Sequence, residues 1–190
     1  MNDSLQNSSV QQAIDLALSL QRANRLAEAD AIYRSVLKAQ PDHFDALQLL
    51  GLVQFNLGNY VSAIELMGKA LQINPRVATV QTNLGVAYSQ LNRLDEAINC
   101  HAAAISLKPE APAAHNNLGL VLLDKGHIGK AAACFERALA INPKMTAALA
   151  NLGRTHLCRN NIIVGLSMTL KESGFIRFTR EPSFKLVLEP

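Results

Sequence analysis

Four prolines recur along the chain at one fixed interval, and this interval sets the strongest limit on the fold. Pro41, Pro75, Pro109 and Pro143 lie 34 residues apart. A period of this length is typical of repeat architectures, in which one supersecondary unit stacks on copies of itself. With the proline near the end of each repeat, the repeats begin at Val10, Phe44, Ala78, Pro112 and Thr146.

Other positions of this repeat are equally regular. The seventh is always leucine: Leu16, Leu50, Leu84, Leu118 and Leu152. The eighth is always alanine or glycine: Ala17, Gly51, Gly85, Gly119 and Gly153. The twentieth is small: Ala29, Ala63, Ala97, Ala131 and Gly165. Since small residues let two helix backbones approach closely, each repeat is predicted to be a pair of packed helices.

The turn inside each pair is predicted at the fifteenth position, which is always glycine or asparagine: Asn24, Gly58, Asn92, Gly126 and Asn160. These two residue types tolerate the left-handed conformation that closes a helix. The prolines end the second helix, because proline cannot continue one. Pro112 is expected in the first turn of the following helix, where its missing N–H costs little.

This period and these positions resemble the tetratricopeptide repeat family over about residues 10–160. Repeats two to four carry the resemblance best, through Leu50-Gly51, Gly58, Tyr60, Ala63, Ala70, Leu71 and Pro75, Leu84-Gly85, Tyr88, Ala97, Ala104 and Pro109, and Leu118-Gly119, Gly126, Ala131, Phe135, Ala138 and Pro143. The resemblance implies an all-α fold, a right-handed superhelical solenoid of antiparallel helix pairs with about five units. The predicted units are 10–43, 44–77, 78–111, 112–145 and a degenerate 146–173.

The two ends depart from this pattern. Residues 1–9 are polar and are expected to be disordered. The second helix of the last repeat, at about 162–172, has Thr169 and Glu172 where the fourth repeat has Phe135 and Ala138, and no closing proline follows. This fits either a capping repeat or an altered piece of a longer solenoid. Residues 174–190 form a short tail that is irregular or β-prone, and self-association through this tail or the solenoid ends is a possible consequence.

The sequence offers little chemistry. The five histidines fall in five different positions of the repeat and none has a partner at metal-ligand spacing. His101 occupies the position of Tyr33 and Phe135, so a packed side chain is expected there. We therefore predict no catalytic residues, no metal site and no cofactor.

Charge and hydropathy exclude further classes. The formal charge of +3 is spread thinly, without the clustered bases of a nucleic-acid-binding surface. No stretch approaches the length of apolar residues that crosses a membrane, and the N-terminus lacks the layout of a signal peptide. The predicted partners are proteins or peptides, with no nucleic acid and no membrane insertion, and the predicted location is cytoplasmic.

The sixth position of the repeat carries the one polar series, Asn83, Asn117 and Asn151, with Asp15 and Leu49 as departures. A side-chain amide offers one acceptor and two donors, so it can pair with both groups of a peptide unit. The series resembles the tetratricopeptide superhelix of O-linked N-acetylglucosamine transferases, in which such a ladder holds peptide backbone. Alternatively, these asparagines only bridge adjacent helices by hydrogen bonds.

The tetratricopeptide resemblance places the first helix of each repeat on a concave groove, which is predicted to bind a peptide. The groove residues are Gln48, Phe55, Thr82, Asn83, Asn116, Asn117, Leu120, Leu123, Asn151 and Arg154. This surface is mostly neutral, so a clamp for acidic C-termini is not expected. We predict a protein-interaction scaffold that binds an extended peptide or a partner helix; the alternative is a substrate-recruiting arm of a glycosyltransferase-like enzyme.

Overall fold

The computed structural model describes the backbone of residues 2–158 and of Met168, and side chains from Ser8 onward. Within these residues the chain forms nine α-helices and no strand. They are α1 (Asn2–Arg22), α2 (Leu26–Ala39), α3 (Phe44–Asn56), α4 (Tyr60–Ile73), α5 (Ala78–Gln90), α6 (Leu94–Leu107), α7 (Pro112–Asp124), α8 (Ile128–Ile141) and α9 (Thr146–Cys158). The predicted all-α class is confirmed, and α3, α5, α7 and α9 begin at the first residues of the predicted repeats.

Helix α1 differs from the prediction at its N-terminus. The backbone is helical from Asn2, whereas the sequence predicts a disordered segment over residues 1–9. This segment contains neither proline nor glycine, and each residue added to an existing helix gains a hydrogen bond without a new nucleation cost. The degenerate second helix at 162–172 and the tail at 174–190 lie outside the described residues, apart from the helical backbone of Met168.

The chain divides into two compact units, Met1–Leu107 and Lys108–Pro190. In the first unit, each of the helices α1 to α5 contacts the next one along the chain. In the second unit, α8 contacts both α7 and α9. One part of the core of the first unit is a cluster of buried side chains from α1, α2 and α3: Ile14, Ala17, Leu20, Ala29, Tyr33, Val36, Ala46, Leu50 and Val53.

The turns inside the helix pairs adopt the left-handed conformation that their sequence predicts. Asn24 has φ of 59° and Asn92 has φ of 56°, while Gly58 and Gly126 have φ of 81° and 79°. The predicted role of glycine and asparagine at the fifteenth position is thereby confirmed in four repeats. Pro112 is likewise found in the first turn of α7, as expected.

The two helices of a pair are held together where the eighth position meets the twenty-fourth. In the third repeat, a Cβ atom added to Gly85 would lie 2.7 Å from Cε1 of His101, and in the fourth a Cβ on Gly119 would lie 2.5 Å from Cε1 of Phe135. The residues at the twenty-fourth position are almost fully buried: Tyr33, Met67, His101 and Phe135. The predicted close approach of the helices is confirmed, and it places one large side chain directly over each of Gly51, Gly85 and Gly119.

The leucines of the seventh position are not equivalent. Leu50 and Leu84 are 1% and 6% exposed, whereas Leu16 is 54% exposed. Leu50 belongs to the cluster formed with α1 and α2, so this position packs on the preceding repeat. Leu16 has no preceding repeat among the described residues, which explains its exposure.

A buried polar contact also joins the first two repeats. Gln54, on α3, is 4% exposed, and its side-chain amide donates to Asp30 Oδ1 on α2. Its Oε1 accepts a hydrogen bond of 2.9 Å from Asn59 Nδ2, and Asp30 also pairs with Arg34 at 2.7 Å. Both groups of the buried amide are therefore satisfied, as burial requires.

The glycine contacts give the first prediction. Gly85→Ala forces a methyl group against the buried His101 ring, and overpacking of this kind costs about 1–3 kcal/mol. Gly68, inside α4, has nothing within 4 Å of its Cβ direction, so Gly68→Ala is expected to stabilise the helix by about 0.5–1 kcal/mol. Urea unfolding followed by circular dichroism measures both, and shifts of the same sign in the two variants would contradict the proposed packing.

His101 gives the second prediction. Its two ring nitrogens are buried and have no hydrogen-bond partner among the described residues, and burial lowers the pKa of the imidazole from 6.5 to about 4. Because the folded state binds the proton less well than the unfolded state, stability is present above the unfolded pKa and is lost as the pH falls below it. Between about pH 7 and about pH 5 the loss is about 2 kcal/mol.

The matched variant is His101→Phe, because Phe135 already fits over Gly119 at the same position of the next repeat. The free energy of unfolding, measured by urea titration at several pH values, is expected to fall less steeply in this variant than in the native protein. Equal pH dependence of the two proteins would show that His101 is not the titrating group.

Candidate functional site

In the first unit, the first helices of the repeats lie side by side: α3 contacts both α1 and α5. We call the outer surface of these three helices the first-helix face. A cavity of about 260 Å³ opens between α3 and α5. It is lined by Gln48, Leu49, Leu52, Met67, Thr79, Val80 and Asn83.

This cavity has an apolar floor and a polar rim. Met67 and Val80 are 1% and 2% exposed, and they form the floor together with the half-buried Leu49 and Leu52. Gln48, Thr79 and Asn83 retain exposed surface and form the rim. Such a combination of apolar lining with a few polar groups is typical of binding pockets.

Two cavity residues, Gln48 and Asn83, are among those the sequence predicts for the groove. Met67 is not, because it belongs to a second helix and its position in the repeat reads as core. The Met67 side chain packs over Gly51, with its Cγ 2.8 Å from the position of an added Cβ. It also lines the cavity floor. The signal that could have found it is its place at the twenty-fourth position, opposite the small eighth residue.

The asparagines of the sixth position are not equivalent. Asn83 and Asn117 are half-buried and neither makes a side-chain hydrogen bond within the described part of the chain. Asn151 behaves differently, because its Nδ2 donates to Asn116 Oδ1 at 3.0 Å. Asn151 therefore joins α9 to α7, which matches the helix-bridging alternative rather than a free ladder.

Asn116 is also placed differently from the expectation. Its side chain is 5% exposed, so it is not available on the surface, and its burial is explained by the hydrogen bond from Asn151. An apolar environment requires such a partner for a buried amide. The structure therefore brings Asn116 and Asn151 together as a pair within the second unit.

The remaining predicted groove residues fall into two groups. Phe55 and Thr82 have partners near them in the chain: the Phe55 ring lies 5.4 Å from that of Tyr60 between centroids, and the Thr82 hydroxyl donates to Ala78 O at 2.9 Å. In the second unit, Leu120 and Leu123 are half-buried and Arg154 is exposed.

The titratable groups in the described residues show no activated nucleophile. Burial, with a contribution from the Glu96 charge, raises the pKa of the Cys100 thiol to about 11, and burial raises the pKa of Cys134. Since the thiolate is the reactive form, these two cysteines are protonated near neutral pH. The described residues also contain no cluster of three or more His, Cys, Asp or Glu side chains able to hold a metal ion.

No helix within the described part of the chain combines the length and the apolar character that spanning a bilayer demands.

Comparison with protein families identifies the repeat. The sequence profile described as tetratricopeptide repeat matches residues 14–78, 82–145 and 119–161. These matches cover more than half of the chain, which therefore belongs to the tetratricopeptide repeat family. A comparison with curated protein sequences finds no significant match.

Solved structures with the same fold include two of MamA. One has 24% sequence identity and a TM-score of 0.78 and covers 85% of this chain and 94% of its own. The other, residues 41 to the end of MamA from Desulfovibrio magneticus RS-1, has 16% identity and a TM-score of 0.81 and covers 87% of this chain and 93% of its own.

A third similar structure is YrrB, described as a TPR protein with an unusual peptide-binding site. It has 23% identity and a TM-score of 0.72, and it covers 85% of this chain and 84% of its own. At these identities the likeness establishes the fold. The matches support the tetratricopeptide repeat itself and give no particular support to the resemblance with O-linked N-acetylglucosamine transferases.

The unequal asparagines give the third prediction. Asn151→Ala leaves the buried Asn116 without its partner, which costs about 1–3 kcal/mol. Asn117→Ala is the matched control, because Asn117 lies at the same repeat position in the same unit and its side chain makes no hydrogen bond among the described residues. Both variants gain the same helix propensity, so the difference between their free energies of unfolding, measured by urea titration, isolates the hydrogen bond. Equal values would show that the contact between Asn151 and Asn116 contributes nothing.

Proposed function

We propose that this repeat protein is an interaction scaffold that binds an extended peptide along its first-helix face, without catalysis of its own. The observation that carries this proposal is the position of Asn83. Its amide has no hydrogen-bond partner among the described residues, and it stands on the rim of a cavity whose floor is apolar. A peptide can pair its backbone with this amide while one of its side chains enters the cavity.

An extended peptide suits this arrangement better than a partner helix. An amide side chain can satisfy both the N–H and the C=O of a peptide unit only when those groups are free. Inside a helix the same groups are already bonded to one another. The alternative function, a substrate-recruiting arm of a glycosyltransferase-like enzyme, remains a prediction that no described residue favours specifically.

The expected affinity is modest. Burial of one aliphatic side chain contributes about 1.5–3 kcal/mol, and each net hydrogen bond about 0.5–1.5 kcal/mol. Micromolar binding requires about 8 kcal/mol. One anchor and one amide therefore reach only the millimolar range, and tighter partners must use further contacts along the face.

A random peptide library displayed on phage tests this proposal. Peptides enriched on the native protein are expected to bind Asn83→Ala about two- to tenfold more weakly, because one or two hydrogen bonds are lost. They are expected to lose binding to Thr79→Phe, in which a large side chain covers the cavity from an exposed position. The control is Ala113→Phe, which adds the same side chain at the second position of α7, also exposed.

Melting temperatures of all three variants serve as the check on folding. Failure to enrich any peptide, or equal binding of the enriched peptides to native protein, Asn83→Ala and Thr79→Phe, would contradict the proposal. Loss of binding in Ala113→Phe as well would show that the effect of the added ring is not local to the cavity.

A further inference from the structure

We propose that the first unit selects peptides in which an aliphatic side chain fills the cavity and an arginine or lysine two residues away meets the carboxylate of Asp45. This inference rests on the proposed function and specifies its ligand. It follows from three features of the first-helix face: the lining of the cavity, the position of Asp45, and the distribution of charge over α1, α3 and α5.

The cavity accepts an aliphatic group. Four of its seven lining residues are aliphatic or thioether side chains, and none is charged. Its volume of about 260 Å³ is below the range of about 300–1,000 Å³ typical of pockets for drug-sized ligands. A single side chain such as leucine, isoleucine or methionine matches both the size and the lining.

Asp45 lies next to this cavity. Its Oδ1 accepts a hydrogen bond of 3.0 Å from Nε2 of Gln48, and Gln48 lines the cavity. The Asp45 carboxylate is thus hydrogen-bonded directly to a residue that lines the cavity. Its second oxygen is available, since a carboxylate offers about four lone-pair sites.

The charge of the first-helix face has one sign. Asp15 and Asp45 are exposed there. Among the described residues, each accepts a side-chain hydrogen bond only from a glutamine on its own helix, Gln11 or Gln48. Apart from Arg22, the last residue of α1, the bases of this unit lie in second helices or loops: Arg25, Arg34, Lys38, Lys69, Arg76 and Arg93.

Three acidic residues elsewhere in the unit are paired with a base. Glu28, Asp30 and Glu96 each form an ion pair with an arginine, at 2.5 to 2.7 Å. Asp15 and Asp45 have no such partner within the described part of the chain. A cation brought by a ligand would therefore find uncompensated carboxylates on the first-helix face, and complementary charge steers association and register.

Asp45 also has a role within its own helix. It lies in the first turn of α3, where a negative charge stabilises the helix dipole. This role accounts for the residue at that position. The helix dipole does not explain why α1, α3 and α5 all lack lysine and arginine on the first-helix face. This face corresponds to the second, fifth, sixth, ninth and twelfth positions of the repeat.

The spacing of the ligand side chains follows from the geometry of an extended peptide. Side chains at i and i+2 point to the same side and are about 6.6 Å apart. When the side chain of residue i occupies the cavity, the side chain of residue i+2 or i−2 lies beside Gln48 in this proposal. From there it can reach the carboxylate of Asp45, to which Gln48 is hydrogen-bonded.

Synthetic peptides and amide NMR titration test this inference in the range of weak binding expected here. The probes are end-capped peptides with one leucine in a serine-glycine background and arginine, glutamine or glutamate two residues from it. The arginine peptide is expected to bind native protein about two- to fivefold more tightly than the glutamine peptide, which corresponds to one exposed ion pair. The glutamate peptide is expected to bind more weakly than both, and high salt should remove these differences.

Asp45→Asn is expected to bind the arginine and glutamine peptides equally. The matched control is Glu65→Gln, an exposed carboxylate on α4 of the same unit, which should keep the preference for arginine. Equal binding of arginine and glutamine peptides to native protein would overturn the charge selection. So would an arginine preference that survives in Asp45→Asn or persists when the leucine is replaced by glycine.

The two levels of the proposal fail in different ways. If the glutamine peptide perturbs the amides around the cavity but charge has no effect, peptide binding stands and the selection for a base is wrong. If no leucine-containing peptide perturbs the amides of α3 and α5, both the selection and the peptide-binding function proposed for this face are wrong.

Discussion

The close approach of the two helices within each repeat is the contact on which the other features depend. Gly85 and Gly119 leave room for the rings of His101 and Phe135, which lie where a Cβ atom would otherwise be. With the pair held this tightly, the second helix fixes the orientation of the first. The second, sixth and ninth positions of the first helix then face outward in every repeat, and this is how Thr79 and Asn83 come to stand opposite Gln48 and Leu52 around one cavity.

This contact tolerates different chemistry as long as its volume is kept. The twenty-fourth position holds Tyr33, Met67, His101 and Phe135, all at most 1% exposed. Tyrosine places its hydroxyl 3.4 Å from Gln21 Oε1, and methionine and phenylalanine have no polar group to satisfy. Of these four side chains, only His101 buries polar atoms, its two ring nitrogens, that have no hydrogen-bond partner in the part of the chain that the structure describes. The third repeat thus keeps the packing at a cost in stability. Burial of the two unpaired nitrogens destabilises the folded state even when the ring is neutral, and burial of the protonated ring destabilises it more.

Features that depend only on the local sequence, namely the turns and the helix starts, could be predicted from the sequence. The turns at Asn24 and Gly58 follow from the conformations open to these residue types, and the 34-residue period gives the helix starts. What the sequence did not predict depends on contacts across helices. Asn117 and Asn151 occupy the same repeat position and look identical in the sequence, but only Asn151 has the buried Asn116 within reach as an acceptor. Met67 reads as core and is buried, at 1% exposed, but it also lines the cavity together with Leu49 and Leu52 of the neighbouring helix.

The asparagines of the sixth position differ in their hydrogen bonding, and this difference argues against a backbone-binding ladder that runs through every repeat. A ladder of equivalent free amides would hold peptide backbone at each repeat and would be indifferent to the ligand's side chains. Here Leu49 replaces the amide in the second repeat and Asn151 is already bonded in the fifth. Backbone contacts of about 0.5–1.5 kcal/mol each are then too few to supply micromolar affinity, so in the peptide binding that we propose the larger contribution comes from a buried side chain. In that proposal the cavity beside Asn83 selects the ligand, and the Asn83 amide fixes the register of the ligand.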